Sequence, residues 1–330
     1  MSLKVKIYGS RGSIPTPQDP VDIENKISTA IKMFLAKGHK CVEDVDTFVS
    51  SLERHDRSSY GGNTACYKVD SDKQTIIIDG GSGLRSIGGE LVTGDCGKGE
   101  GEVHIFLTHF HWDHLIGFNF FIPLFIPGNN VHIYAVQDEV NEFMDVLFKK
   151  PYFPIPFEDL AANIHFHQLK PREAFVMNDM SITPYQLDHP DECWGYRVES
   201  DGHSYAHCVD TECTRMSRKD MAEDLPLYQN ADLMIFDAQY SLAEAVVKMN
   251  WGHSAAVIGL DIARRESVKK IIFVHHDPYA SDIQIDKIKK QCIRVEKNHK
   301  KYVQQNGEDF NHVEWEFGYD GLCIDLETLY

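Results

Sequence analysis

The stretch Thr-His-Phe-His-Trp-Asp-His at 108–114 places three imidazoles and a carboxylate within six residues, at the end of the apolar run Val103 to Leu107. In extended chain His109 and His111 point the same way because side chains alternate faces, and Asp113 and His114 follow where the chain must turn. Neutral imidazole and carboxylate are donors that zinc, manganese and iron accept. The spacing suits two neighbouring ions better than one, the first histidine pair serving one ion and Asp113 with His114 the other. A metal-free histidine-rich loop is the plain alternative, and the combination of four donors argues against it. A dinuclear site also needs ligands from elsewhere, at least one of them bridging. His189, Asp210 and His275 are the candidates, each following a strand-like run: Ile182 to Leu187, Tyr205 to Val209 and Ile271 to Val274. Strand C-termini are where loops converge on a cleft.

The elements that must position these residues read as alternating strands and helices. Lys4 to Tyr8 is a short strand leading into a turn with two glycines at 9–15. Ile23, Ile27, Ile31 and Phe34 then recur at helical spacing, and Val42, Val45, Val49 and Leu52 resume the pattern after Gly38, which predicts a helical hairpin over about 22–54 inserted in a sheet protein. Strands are expected over Ala65 to Val69, Thr75 to Ile78 and Val131 to Ala135. An amphipathic helix over Asp138 to Phe148 carries Val140, Phe143, Met144 and Leu147 on one face. Short alternating strands fill Ile164 to Asp210. A strand at Ala231 to Phe236 ends at Asp237, a helix runs from Ser254 as its cap to Arg264, and a lysine-rich helix occupies the region near Asp282 to Gln304. No stretch reads as an interdomain linker, so 1–330 is taken as one domain.

Composition narrows the partners. At 330 residues with 42% apolar content the chain can bury a sizeable core. Its formal charge of −17 opposes a main role in gripping long nucleic acid, which depends on clustered lysine and arginine, but is compatible with a small anionic substrate held by metal. Eight cysteines without a C-x-x-C pair, and an N-terminus without a signal-peptide pattern, point to reduced thiols in a cytoplasmic protein. The most apolar stretch, Leu115 to Ile126, is too short and broken to span a bilayer, so no membrane partner is expected.

The pattern H-x-H-x-D-H at 109–114, followed by His189, Asp210 and His275, resembles the metallo-β-lactamase superfamily. R-G-S-I-P at 11–15, Y-G-G-N-T at 60–64, I-D-G-G-S-G at 78–83, V-D-T-E at 209–212, D-A-Q-Y at 237–240, W-G-H-S at 251–254 and H-H-D-P at 275–278 extend the agreement. These motifs are similar to those of the cyclic-phosphodiesterase-like branch, related to the phosphoribosyl cyclic phosphate phosphodiesterase and, more distantly, to the tRNA 3′-processing ribonuclease. The resemblance implies an α/β fold, a four-layered αβ/βα sandwich with metals at one edge between two sheets. It implies that His109, His111 and His189 hold one metal, that Asp113, His114 and His275 hold a second, and that Asp210 bridges them. Of the adjacent His275 and His276 only one can be the ligand, and the motif favours His275. Asp79 is expected to brace the cluster without touching metal.

Two divalent ions, zinc with manganese or iron as alternatives, would give a bridging hydroxide nucleophile at neutral pH and a clamp for phosphate. The leaving alkoxide needs a proton. His253 in Trp-Gly-His-Ser is the candidate donor, with Asp113 placed to support its acid-base work. The expected function is therefore a phosphodiesterase acting on a small or cyclic phosphodiester. A carbonyl hydrolase acting on a lactone, thioester or lactam is the alternative, opposed by aspartate at 210 where zinc β-lactamases commonly carry cysteine. A non-catalytic sensor is the third reading. tRNA cleavage is disfavoured by the acidic balance and the lack of a basic arm. The helical insertion could cover the cleft, form a homodimer contact or simply pack.

Overall fold

The computed structural model describes residues 3–214, 217–307 and 309–329. The chain builds strands β1 (Lys4–Gly9), β2 (Cys66–Asp70), β3 (Thr75–Ile78), β4 (Glu102–Phe106), β5 (Asn130–Ala135), β6 (Asn163–Gln168) and β7 (Phe175–Met177). It continues with β8 (Met180–Gln186), β9 (Trp194–Ser200), β10 (His203–Cys208), β11 (Leu233–Asp237), β12 (Lys270–Val274), β13 (Glu314–Phe317) and β14 (Cys323–Asp325). They form two seven-stranded sheets, ordered β14-β1-β2-β3-β4-β5-β6 and β13-β12-β11-β10-β9-β8-β7. Within each, a run of parallel strands carries the loops that matter: β3 to β6 in one sheet and β10 to β13 in the other.

The layering follows from which faces are apolar. Val5, Tyr67, Ile78 and Phe106 of the first sheet meet Ile182, Tyr196, Tyr205, Ile235 and Ile272 of the second in a central core. The outer face of the first sheet, with Ile77, Ile105 and Ile133, is covered by Leu84 and Ile87 of the helix Leu84–Leu91 and by Phe118 and Phe121. The outer face of the second, with Met234, Phe236 and Phe273, is covered by Leu260 and Ala263 of the helix Ala256–Arg265 and by Ile285 and Cys292 of the helix Asp282–Gln305. Strands buried on both faces read as continuous apolar runs, which is why Leu233 to Phe236 shows no polar alternation. The four-layered αβ/βα sandwich is the observed fold.

The helical insertion is present as a helix at Pro20–Ala36, a short turn at Val42–Asp44 and helices at Val45–Ser51 and Arg54–Arg57. Its apolar stripe does not enter the core, for Ile27 is 57% and Ile31 55% exposed. Helical periodicity specified the secondary structure but not a partner for the face. The segment expected as one helix over 138–148 is split into a 3₁₀ turn at Asp138–Asn141 and a helix at Phe143–Leu147. The spacing was right about burial, since Val140, Phe143, Met144 and Leu147 all face the sheet. The helix expected to be capped by Ser254 starts two residues later with no side-chain cap, because Ser254 is drawn inward: its N–H donates to Asp237 and its hydroxyl to the Glu212 carbonyl.

At the far end of the first sheet from its metal-ligand loop, His104, His132 and His165 stand in register on β4, β5 and β6. Their rings stack at 4.9 and 4.7 Å, and His132 joins His167 at 3.0 Å and Glu102 at 3.1 Å. No helix among the described residues is long and apolar enough to cross a membrane.

Candidate metal centre

The predicted donors converge at the seam between the sheets, where the parallel strands end. After β4 the chain runs extended through His109 and then begins a single helical turn at Trp112–Leu115, with His111 at its N-cap. The turn rotates Asp113 and His114 inward, both buried, and leaves Trp112 facing out. Candidate donor atoms of His109, His111 and His189 lie within 4.8 Å of one another, as do those of His109, His114 and Asp210, and those of Asp113, His114 and His275. All seven residues singled out from the sequence are thus brought together, and Asp210 stands between the two groups. Its Oδ2 is 2.6 Å from His114 Nε2 and 3.4 Å from His109 Nε2, while its Oδ1 is 3.2 Å from both His253 Nδ1 and His275 Nδ1.

Each imidazole has one nitrogen anchored by a neighbouring oxygen, which fixes the ring so that the other nitrogen is directed into the donor cluster. His114 donates from Nδ1 to Asp79 at 2.8 Å, His109 to the Thr108 hydroxyl at 3.0 Å, His275 to Gln239 Oε1 at 3.0 Å and His189 to the Asp191 carbonyl at 3.0 Å. His111 is anchored instead through Nε2, 2.9 Å from the Asp191 carboxylate. Asp79 also accepts from the Thr108 amide at 2.9 Å and from its hydroxyl, and so braces the loop without joining the donor groups.

The buried polar atoms fit a metal. His109 Nε2 and His114 Nε2 are fully buried and make no hydrogen bond, a state that costs free energy unless something else satisfies them. Burial opposes every charge in the cluster, yet the carboxylates keep theirs. Asp210 is held well below the ordinary carboxylate range by His275 and His114, and Asp113 by His114 and His275. Conversely Asp210, Asp79 and Asp113 raise His114 well above its ordinary value against the effect of burial. Burial and the neighbouring His114 push His109 well down. A dry pocket in which ionised carboxylates draw a proton onto an imidazole is an environment where a divalent cation can take that proton's place.

The local backbone is shaped for this approach. Asp79, Asp210 and His275 adopt φ of 62, 61 and 61°, in the left-handed region. A Cβ on Gly12 would lie 2.5 Å from the His275 ring, and one on Gly252, whose φ is +85°, would lie 2.3 Å from His189. The two glycines thus let backbone press directly against the rings that are to be held still.

His253 is placed at the cluster but not beside Asp113. It pairs through Nδ1 with Asp237 Oδ2 at 2.9 Å and with Asp210, and these carboxylates raise it to about 10 although burial works the other way. Asp113 instead accepts from the Ser13 amide at 2.7 Å and lies 3.2 Å from His275 Nε2. The support for His253 that was expected from Asp113 comes instead from Asp237 and Asp210. Asp237 ends β11 as Asp210 follows β10, so the strand-end signal could have found it. Gln239 and Asp191 carry no such signal. His276 faces away from the donors and donates to the Gly318 carbonyl at 2.8 Å, and burial pulls it down to about 3. It ties the loop after β12 to the connection that leads from β13 to β14.

Residues 75–276 match the model of the Beta-lactamase superfamily domain. The ribonuclease Z of Ligilactobacillus salivarius (strain UCC118) is 22% identical over 265 residues, covering 63% of this chain and 78% of its own. Among solved structures, the metallo-beta-lactamase fold protein YhfI from Bacillus subtilis is similar with a TM-score of 0.62 at 14% identity, over 98% of this chain and 99% of that one. A diphosphatase of the PhnP family is similar with a TM-score of 0.56 at 19% identity, over 98% and 97% of the two chains.

Proposed function

The chain belongs to the beta-lactamase superfamily, and on that premise we propose that it is a metal-dependent phosphodiesterase acting on a small anionic phosphodiester. The observation that carries the reading is the placement of His253. Its Nδ1 is fixed by Asp237 and Asp210, its Nε2 makes no hydrogen bond among the described residues, and its side chain keeps 12% of its surface exposed beside the donor cluster. That is the geometry of a group that gives a proton to a departing oxygen. His109, His111 and His189 on one side and Asp113, His114 and His275 on the other, with Asp210 between the two groups, would hold divalent ions, which when bound would supply charge for an anionic phosphate and acidify a water for attack. We assign two ions, zinc with manganese or iron as alternatives, from a donor set of nitrogen and oxygen.

The chain's own groups do the rest. Asp79, Thr108, Gln239 and Asp191 hold the imidazoles in one orientation, and the Ser13 amide fixes Asp113. The aspartate at 210 and a proton donor at 253 support phosphodiester over carbonyl hydrolysis, where a phosphate-side acid has no evident duty. The relative named ribonuclease Z and the neighbour named diphosphatase support cleavage at phosphorus. The charge of −17 supports a small substrate over RNA, and the eight free cysteines support a reducing, cytoplasmic setting. The test is a hydrolysis panel of bis(p-nitrophenyl) phosphate, cyclic nucleotides, ribose cyclic phosphates, a pre-tRNA, a thioester and a β-lactam. A preference for the carbonyl substrates or for the RNA would overturn the reading.

A further inference from the structure

The segment between β11 and the helix Ala256–Arg265 leaves the metal centre and returns to it, and its side chains form a platform that the chemistry above does not use. Tyr240, buried, sets its ring edge-on to His253 at 5.5 Å. Lys248, which ends the helix Leu242–Val247, places its ammonium 4.1 Å from the centre of that tyrosine ring and 6.0 Å from that of Trp251. Trp251 is 65% exposed. Its position is not that of a loose loop: the next residue, Gly252, presses against His189 and donates its N–H to Glu212 Oε1 at 2.7 Å. Trp194 and Trp315 are buried or half-buried, and the other exposed tryptophan, Trp112, directly follows His111. The exposed indoles of this protein therefore both stem from residues adjoining the metal-side histidines.

An indole has more apolar surface to lose to water than any other side chain, so a fixed and exposed one beside a polar cleft is an unfilled contact. What fills it must be compatible with an anion at the cluster and an ammonium between. Asp277, 3.8 Å from Lys248, leaves that lysine partly neutralised, so it suits a hydrogen-bond acceptor on an uncharged group better than a second phosphate. We infer that Trp251, with Lys248 and Tyr240, seats a planar heteroaromatic base, which makes the substrate class a nucleoside phosphodiester. The base stacks on the indole, Lys248 donates to a ring or exocyclic acceptor, and the sugar bridges to the phosphate beside His253. This assignment rests on the phosphodiesterase reading for the position of the phosphate and goes beyond it in naming the organic part.

Two measurements on the metal-loaded protein test it. The first is calorimetric binding of adenosine 5′-monophosphate against ribose 5-phosphate. The nucleotide is expected to bind about tenfold tighter, as base stacking on an aromatic allows, with the preference lost in Trp251→Ala and largely kept in Trp251→Phe. The second is the ratio of kcat/KM for a cyclic nucleotide over that for a cyclic alkyl phosphate, expected to fall about tenfold in Trp251→Ala at unchanged metal content. Equal binding of the two phosphates by the native protein, a preference that survives Trp251→Ala, or a Trp251→Ala protein that changes oligomeric state, so that the indole covers another copy, would each overturn the inference. A base preference in binding without turnover of any phosphodiester would keep this site and sink the phosphodiesterase reading instead.

Discussion

Replacing Asp79 by Asn changes no proposed ligand, keeps the side-chain shape and introduces a residue that tolerates the left-handed backbone at this position, where φ is 62°. It therefore isolates one variable, the charge and acceptor capacity behind His114. The carboxylate presently accepts from the Thr108 amide at 2.9 Å, from the Thr108 hydroxyl at 3.0 Å and from His114 Nδ1 at 2.8 Å, all fully buried. An amide has a single oxygen for these duties. If that oxygen serves His114, the amide NH₂ meets the Thr108 N–H and one donor is left unsatisfied, at a cost of about 1–3 kcal/mol. If it serves Thr108, the NH₂ faces His114 Nδ1, the imidazole proton moves to Nε2, and the nitrogen aimed at Asp210 can no longer bind metal. Both routes should weaken the ion that, on the proposed assignment, Asp113, His114 and His275 would hold. The expected loss is 10–100-fold in affinity, or about 1.4–2.7 kcal/mol at 1.36 kcal/mol per tenfold. Competition dialysis against a chelator with metal analysis reads it directly, and circular dichroism melts establish that the variant is folded. A folded Asp79→Asn protein that retains both ions at native affinity would refute the idea that Asp79 sets the His114 tautomer.

His253→Asn should leave metal content unchanged and slow a phosphodiester with an alkoxide leaving group by on the order of a hundredfold, with a much smaller effect on p-nitrophenolate, which needs no proton; equal slowing of both removes His253 from proton donation. Gly252→Ala should displace His189 and lower bound metal, because the new Cβ would lie 2.3 Å from that ring, and at φ +85° it should also cost about 1–2 kcal/mol of stability; a variant with full metal content refutes the close approach. The stacked histidines on β4 to β6 make a prediction about stability. His104 is lowered from 6.5 to about 4, by burial first and then by His132, with Glu102 acting in the opposite sense, and His167 beside them is lowered by burial, His132 and His165. The folded protein then binds fewer protons than the unfolded chain between these values, so stability is present above pH 6.5 and is lost as pH falls toward 4. Urea midpoints measured across that window should show the slope, and His104→Phe should flatten it.

How far the sequence carries depends on whether a feature is local. The cluster at 109–114 is legible because its donors share one strand and one turn, so spacing alone orients them. His189, Asp210 and His275 are legible because strand ends point at the cleft. Asp237 obeys the same rule at the end of β11, and it rather than Asp113 is the carboxylate that meets His253. Gln239 and Asp191 are invisible at that level, since nothing in D-A-Q-Y or H-P-D-E tells which side chain reaches an imidazole more than thirty residues away. Ser254 failed as a helix cap because the Asp237 carboxylate and the Glu212 carbonyl compete for it. The stripe Ile23, Ile27, Ile31 specifies the helix but not what covers it, as periodicity reports a face and not what lies against it.

The left-handed backbone at Asp79, Asp210 and His275 has a consequence for how the protein lives with its metals. Side chains other than glycine enter that region at about 1–3 kcal/mol each, and here the two sheets, folded around their common core, hold them there. The socket is thus cast when the sheets close. Ions bound as proposed would enter a holder already shaped, with no refolding at each change. On that proposal occupancy would follow the metal supply, so a preparation stripped of metal should recover by simple addition of ions, and one grown on different ions should arrive already loaded with them.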